Sequence, residues 1–385
     1  MSQSRNFGFG SEETMLRDGA RRLLDERAGV ETLRRIVARD HIEAYESEVQ
    51  PARYDDDLWQ KMVELGWTSV AVPESAGGMG MRTIAAVILA EEIGRAALPS
   101  PLTATLVATN VLKHCDGPAA KTALERIAAG ERTTVAATNE AGAWDPKNPS
   151  VSASQTSAGI NLNGTAYFVQ DARKCSNFLV SAEGPKGIGL YIVAADAPGL
   201  EIMPDQIVDL TRDQARVRFE SVVVETDGVA AHSDSGADTI RAAAPAILTV
   251  LAADMCGAAE WQLQTTVEYA RVRKQFDRPL GFFQAVKHPL VNMMMDIDRA
   301  RSLVYNAACA IDEEPERAEY FARMAQAAAS DAAAFCSSKS VQLHGGIGFT
   351  WECDVHLWFK RQMHSRLLYG DAAYHRARLA ELVAA

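Results

Sequence analysis

The sequence predicts an α+β protein in three parts: an N-terminal helical domain (residues 1–131), a middle β-sheet domain (132–232) and a C-terminal four-helix bundle (233–385). Three observations predict it. At 385 residues the chain is longer than one hydrophobic core usually serves. Near residue 133 the composition changes from Ala-, Leu- and Glu-rich stretches to short β-branched runs broken by turn residues. Near residue 237 it changes back.

The first part opens with Ser11-Glu12-Glu13, the pattern of a capped helix start, where a hydroxyl and an acidic first turn satisfy free backbone N–H groups. Pro73 and the cluster Ala76-Gly77-Gly78-Met79-Gly80 interrupt the helical pattern. It resumes over Ile84–Ala97, and Pro99 and Pro101 end it. In the middle part, strands are expected at Thr133–Thr138, Ile160–Val169, Phe178–Ala182, Leu190–Ala194 and Ala215–Val224. Asn163-Gly164 supplies the residue types of a hairpin turn.

In the last part, Pro245–Lys274 is apolar on most faces and is expected inside a bundle. The run Ala242–Ala259 approaches the length of a bilayer span, but Thr249, Asp254 and the polar residues that follow favour a buried core helix. Val286, Leu290, Met293, Ile297, Val304 and Ala308 recur at helical spacing. Glu314–Gln342 is Ala-rich, and two final helices meet at Gly370-Asp371.

The formal charge of −11 argues against non-specific binding to nucleic acid or anionic lipid. The cysteines (Cys115, Cys175, Cys256, Cys309, Cys336, Cys353) are scattered without a CxxC pair, so reduced thiols in a cytoplasmic protein are expected rather than a disulfide framework. MSQSRNFGFGSEE lacks the apolar stretch of a secretory signal. No membrane insertion is expected. Cys353 and His356 have helical spacing but no further ligands nearby, so no metal site is expected.

Two segments carry chemistry. In Arg273-Lys274-Gln275-Phe276-Asp277-Arg278-Pro279-Leu280-Gly281-Phe282-Phe283-Gln284, Pro279 and Gly281 separate two long helices, so Arg273 and Gln284 meet at a corner. A guanidinium there suits paired phosphate oxygens, although a basic solvent-facing turn has the same composition. In Gln342-Leu343-His344-Gly345-Gly346-Ile347-Gly348-Phe349-Thr350, paired glycines admit a ligand to the backbone, as would a plain helix break.

Together the two segments resemble the FAD-holding part of the acyl-CoA dehydrogenase family. The resemblance extends through Leu58-Trp59, Glu64-Leu65-Gly66-Trp67, Val72-Pro73-Glu74, Gly77-Gly78, Glu91-Glu92-Ile93-Gly94-Arg95 and Leu162-Asn163-Gly164, and so covers nearly the whole chain. It implies FAD between the β domain and the C-terminal bundle of an oligomer. Arg273, Phe276 and Gln284 would approach the adenosine diphosphate part, with Gln342, Gly345 and Gly346 reaching it from a neighbouring subunit. The implied reaction removes the α-proton of an acyl-CoA thioester and passes a β-hydride to the flavin, giving the trans-2-enoyl-CoA. Electron-transfer flavoprotein is the oxidant the resemblance implies.

The family's glutamate base is missing from both of its places, which hold Ile247 and Tyr369. Asp371 is the nearest carboxylate to the second, and its Gly370-Asp371 setting also fits a helix cap. Asp254 reads as a partnered interior carboxylate, and the helix carrying His356 and His364 as too polar to mark a site. The loop that covers the flavin in the family is here Thr138-Asn139-Glu140-Ala141-Gly142-Ala143-Trp144-Asp145. The flavin-facing Trp-Ile-Thr is Phe168-Val169-Gln170, which leaves Thr138 and Phe168 as the inner cofactor contacts. In Asn139-Glu140 and the Gly370…His375-Arg376 ending, the chain is similar to the base-lacking subunits of heterotetrameric acyl-CoA dehydrogenases of steroid side chains. Three readings stay open: a dehydrogenase with an unusual base, a partner subunit beside a second dehydrogenase chain that supplies the glutamate, and a flavin-free scaffold.

Overall fold

The computed structural model describes residues 9–38, 40–46, 50–142, 144, 146–157 and 159–384. Ala143 and Asp145 of the altered loop, and the first eight residues, lie outside them. Helices come first: α1 (Ser11–Arg27), α2 (Val30–Val37), α3 (His41–Tyr45), α4 (Asp56–Glu64), α5 (Thr83–Arg95), α6 (Leu102–Leu112) and α7 (Pro118–Ala128). Strands follow: β1 (Thr133–Ala136), β2 (Val151–Thr156), β3 (Gly159–Gln170), β4 (Asn177–Gly184), β5 (Gly187–Ala194), β6 (Leu200–Pro204), β7 (Gln214–Val224) and β8 (Val229–Ala231). Helices return as α8 (Gly236–Val272), α9 (Gln284–Glu313), α10 (Pro315–His344), α11 (Val355–Ser365) and α12 (Ala372–Ala384).

The sheet runs β6-β7-β3-β2-β4-β5-β8, with β1 pairing parallel to β4. Here the structure corrects one local expectation. Asn163-Gly164 is no hairpin turn but lies inside β3, where the register with β7 shifts between Leu162 and Gly164. Gly164 has a φ of 128°, and a Cβ there would fall 2.3 Å from the Ser150 carbonyl oxygen. The residue type answers to a bulge rather than a turn. The chain reverses instead between the paired Thr156 and Gly159.

The first helix also departs from expectation. Ser11 is its first residue and not its cap. The N-terminal N–H groups are served by Glu13, whose Oε2 accepts from Gly10 N–H at 2.8 Å.

Helix α8 is long and apolar enough to cross a membrane, yet its apolar stretch is buried within the protein. It packs on α5, α9 and α10. The crossing with α5 is backbone against backbone: a Cβ on Gly94 would sit 1.9 Å from the Asp254 carbonyl oxygen, and one on Gly257 1.8 Å from that of Glu91. Around that crossing Arg301 of α9 donates to Glu91 (2.6 Å) and to Glu260, and Tyr305 donates to Glu91 at 2.6 Å. On α9 the predicted stripe is real: Met293, Ile297, Val304 and Ala308 are buried.

Candidate cofactor and substrate site

The residues singled out from the sequence fall into two separate groups. The outer group sits at one end of the C-terminal bundle. Phe276 and Asp277 form the two-residue turn of a minimal hairpin, Lys274–Gln275 against Arg278–Pro279, and both have positive φ (52° and 58°). That is the backbone of a primed turn, normally carried by Asn or Gly. Here it thrusts the Phe276 ring outward, 87% exposed. Tyr269, one turn before Arg273, stacks on His344 with ring centroids 4.4 Å apart, so the two motifs share one surface.

Arg273, Gln284, Gln342, Gly345 and Gly346 all reach solvent on this surface. Gly345 has a φ of 67°, and a Cβ on either paired glycine would meet nothing within 4 Å. Packing within the chain therefore leaves the paired glycines open. Arg273 has no side-chain partner among the described residues. An unpaired guanidinium, an exposed ring and an open glycine pair fit the phosphates and adenine of a dinucleotide.

The inner group lines a cavity of about 550 Å³ between the sheet and α11. Thr138 and Phe168 stand on its wall with Trp144, Gln170, Ile207, Val208, Asp209, Lys360, Met363, His364 and Tyr369. Its size and largely apolar lining suit a flat ring system. Arg273, Phe276, Gln284, Gln342, Gly345 and Gly346 do not line it. A single chain thus presents an outer surface and an inner cavity whose residues are not shared.

The cavity wall is anchored from behind. Asp254 of α8 is fully buried and accepts from Arg361 (2.5 and 3.1 Å) and from Arg212 (3.0 Å). Burial alone would push its carboxyl up, but the two guanidinium groups outweigh that and hold it below the usual range. Arg361 also donates to Thr211 Oγ1 (2.9 Å), Thr211 donates to Asp209 Oδ1 (2.8 Å), and Arg212 donates to Ser365 Oγ (3.0 Å). The loop before β7, α8 and α11 are thereby fixed to one another.

Neither of the two positions at which the resemblance implies a base, Ile247 and Tyr369, carries a carboxylate. Ile247 is fully buried in an apolar cluster that Leu368 and Tyr369 also touch. Tyr369 has a φ of 57° and meets Trp144 edge to face, with centroids 4.1 Å apart. Burial pushes its phenol well above the usual range, which rules it out as a base near neutral pH. Asp371 does not line the cavity. Its Oδ1 accepts from Tyr374 N–H at 2.8 Å, the geometry of a cap on α12.

Sequence reasoning missed three titratable residues on the wall. Asp209 is 1% exposed, and its second oxygen has no hydrogen-bond partner; Arg212 Nε lies 3.9 Å from it. Lys360 donates to Tyr45 Oη at 2.7 Å, and burial lowers its pKa. His364 has no side-chain hydrogen bond among the described residues, and burial first, then Arg212 and Arg361, lower its pKa to about 4. The polarity of α11 had hidden the two that it carries, Lys360 and His364: Arg361, Gln362 and Ser365 are buried because they pair with Asp254, Gln262 and Arg212. Among the described residues no cluster of side chains could hold a metal ion.

Residues 10–131 match the acyl-CoA dehydrogenase N-terminal domain and residues 236–384 the acyl-CoA dehydrogenase C-terminal domain. The chain is 33% identical to the acyl-CoA dehydrogenase IpdE2 of Mycobacterium tuberculosis, over 91% of this chain and 90% of that protein. Among solved structures it superposes on a variant of the Tcur3481-Tcur3483 steroid ACAD with a TM-score of 0.84 (30% identity, 97% of this chain and 98% of that one). The ChsE4-ChsE5 complex from Mycobacterium tuberculosis gives 0.85 at 26% identity, covering 98% of both chains.

Proposed function

Because this chain belongs to the acyl-CoA dehydrogenase family, we propose that it is the base-lacking subunit of an FAD-dependent assembly that oxidises an acyl-CoA thioester to the trans-2-enoyl-CoA. A second, different dehydrogenase chain supplies the base. The carrying observation is the pair Ile247 and Tyr369, a hydrocarbon and a buried phenol where the reaction needs a carboxylate.

In this reading the chain contributes its outer surface to the partner's site. Arg273, Phe276 and Gln284 would approach the adenosine diphosphate part of FAD, and Gln342, Gly345 and Gly346 would reach the FAD of a neighbouring subunit. When bound, FAD takes up the hydride from the β-carbon of the substrate. The exposure of these groups, with the paired glycines left open by packing within the chain, supports a role across an interface. In this chain's own cavity, Thr138 and Phe168 remain as the inner contacts a flavin ring would meet.

Two structural neighbours whose names pair two chains, one called a steroid ACAD, support a heteromer acting on a steroid-derived acyl group. Electron-transfer flavoprotein is the proposed oxidant. The domain limits 1–131, 132–232 and 233–385 and a cytoplasmic location are part of the same proposal.

The dehydrogenase acting alone is the weaker reading. It would need a base from its own cavity wall, where Asp209 is buried with Oδ1 already accepting from Thr211; Asp371 is off the wall and caps α12. The test is to purify the chain alone and with a glutamate-bearing dehydrogenase partner, and to record the flavin spectrum and its bleaching by acyl-CoA under anaerobic conditions. Flavin retention and rapid bleaching are expected only for the pair. Full flavin occupancy and rapid bleaching by the chain alone would sink the partner-subunit reading.

A further inference from the structure

A chain of side-chain amides begins beside β6 and ends at the last residue of β3, and its direction is fixed from one end. An ionised carboxylate only accepts, and Asp205 Oδ2 takes a hydrogen bond from Gln214 Nε2 at 3.0 Å. Gln214 therefore turns Oε1 the other way, where it accepts from Gln170 Nε2 at 2.9 Å. The same Gln170 nitrogen donates to the Phe168 carbonyl at 3.1 Å, so both of its protons are used. Gln170 is left with Oε1, a buried acceptor without a partner among the described residues. Such an atom is costly unless something donates to it.

Gln170 borders a hollow of about 10 Å³ that shares Gln170, Leu368 and Tyr369 with the main cavity. Thr103 of α6, Thr134 of β1, Asp171 and Arg212 also line it, and all four are buried. The volume suits about one water-sized sphere and nothing larger.

The other groups on this wall have open capacity as well. Arg212 spends Nε and one terminal nitrogen on Ser365 and Asp254, which leaves its second terminal nitrogen. Asp171 Oδ1 accepts from Lys174 at 2.8 Å, which leaves Oδ2. Burial pushes the Asp171 carboxyl up, and Lys174 and then Arg212 act against it. One donor and two acceptors thus border a single small space. A bridging group there must donate twice and accept once, which a water molecule does and a bare cation or anion does not.

We propose that this hollow is a binding site for one ordered water, which donates to Gln170 Oε1 and the Asp171 carboxylate and accepts from Arg212. The water closes the Asp205–Gln214–Gln170 chain at its inner end. It also joins the buried Asp171–Lys174 pair to the Asp254 network. Gln170 and Gln214 both line the main cavity, so the site holds that stretch of wall from behind. The inference is independent of which chain supplies the base.

A high-resolution crystal structure of the full chain tests it directly. A single water peak is expected within about 3.2 Å of Gln170 Oε1 and of at least one of Asp171 and Arg212. An empty hollow, or a Gln170 oxygen turned onto a protein donor, overturns the proposal. In solution, Ala104→Val enlarges a side chain that borders the hollow and displaces the water. The urea midpoint should fall in the wild-type background, and about half as far or less in Gln170→Met, which lacks the acceptor. An equal fall in both backgrounds is the mark of crowding alone, and a rise is the mark of a filled void; either one overturns the water site. The crystallographic result decides the matter even if Gln170→Met does not fold.

Discussion

The outer surface and the inner cavity are built on opposite terms. At the outer surface Arg273, Phe276, Gln284 and the Gly345-Gly346 pair make few demands on the rest of the chain and receive few. Behind the cavity wall, Asp254, Arg212, Arg361, Thr211 and Ser365 tie the loop before β7, α8 and α11 to one another. The first arrangement is unfinished without something from outside the chain. The second is held together from within the chain. The difference teaches that the cavity's shape is held by a scaffold behind it, Asp254 with Arg212 and Arg361, that is separate from Ile247 and Tyr369.

The largest effect is expected from breaking the inner scaffold. Asp254→Ala leaves Arg212 and Arg361 buried without their counter-charge, and removing one partner of such a set costs roughly 3–5 kcal/mol. Denaturant unfolding should show that loss, with the cavity wall on α11 loosened. A loss below about 1 kcal/mol would mean that the arginines find other partners, as an outer-surface residue would, and the contrast between the regions would fail.

Arg273→Ala tests the other side and should do the reverse. The residue is exposed and without an internal partner, so folding stability should change by less than about 0.5 kcal/mol. Loss of one charge-assisted hydrogen-bonding group to a phosphate is worth about 1.5–3 kcal/mol, or roughly 10- to 150-fold in FAD affinity of the assembly. Flavin titration of the heteromer, followed by fluorescence quenching, measures it. A large loss of stability with unchanged FAD affinity would place Arg273 in the fold and not in the cofactor site.

How well each region could be read from the sequence follows from the same contrast. The outer surface is made of two short contiguous segments, so its residue types and spacing lie in plain order. The α-β-α order was legible for a similar reason, because the period of the apolar pattern changes near residues 133 and 237. The cavity draws on four separated stretches, around 135–144, 168–170, 207–214 and 359–369, that only the fold brings together. His364 and Lys360 were passed over because a helix rich in Arg, Gln and His reads as solvent-facing. It is buried because α8 and the loop before β7 supply partners, a tertiary fact without a local signal. Asn163-Gly164 misled in the opposite direction, since a β-bulge asks for the same residue types as a tight turn.

The smallest effect per step, and the one that sharpens the comparison furthest, is acid sensitivity. His356, His364 and His375 are held near pKa 4 by burial, helped by nearby cationic groups: Lys360 and Arg34 for His356, Arg212 and Arg361 for His364, and Arg323 for His375. Each folded-state value lies below the ordinary value of about 6.5, so the unfolded chain binds the proton first. Their contribution is complete above about pH 6.5 and is lost as pH falls toward 4, by at most about 1.4 kcal/mol per pH unit for each histidine. Urea unfolding at pH 7, 6 and 5 should therefore show falling stability, and His364→Gln should lessen the slope. The outer surface carries none of these three histidines, so it should lose FAD only as the fold itself fails. If FAD leaves the assembly between pH 7 and 5 while the unfolding free energy stays constant, the acid-sensitive groups are at the cofactor surface, and the division between a self-contained interior and an open exterior is drawn in the wrong place.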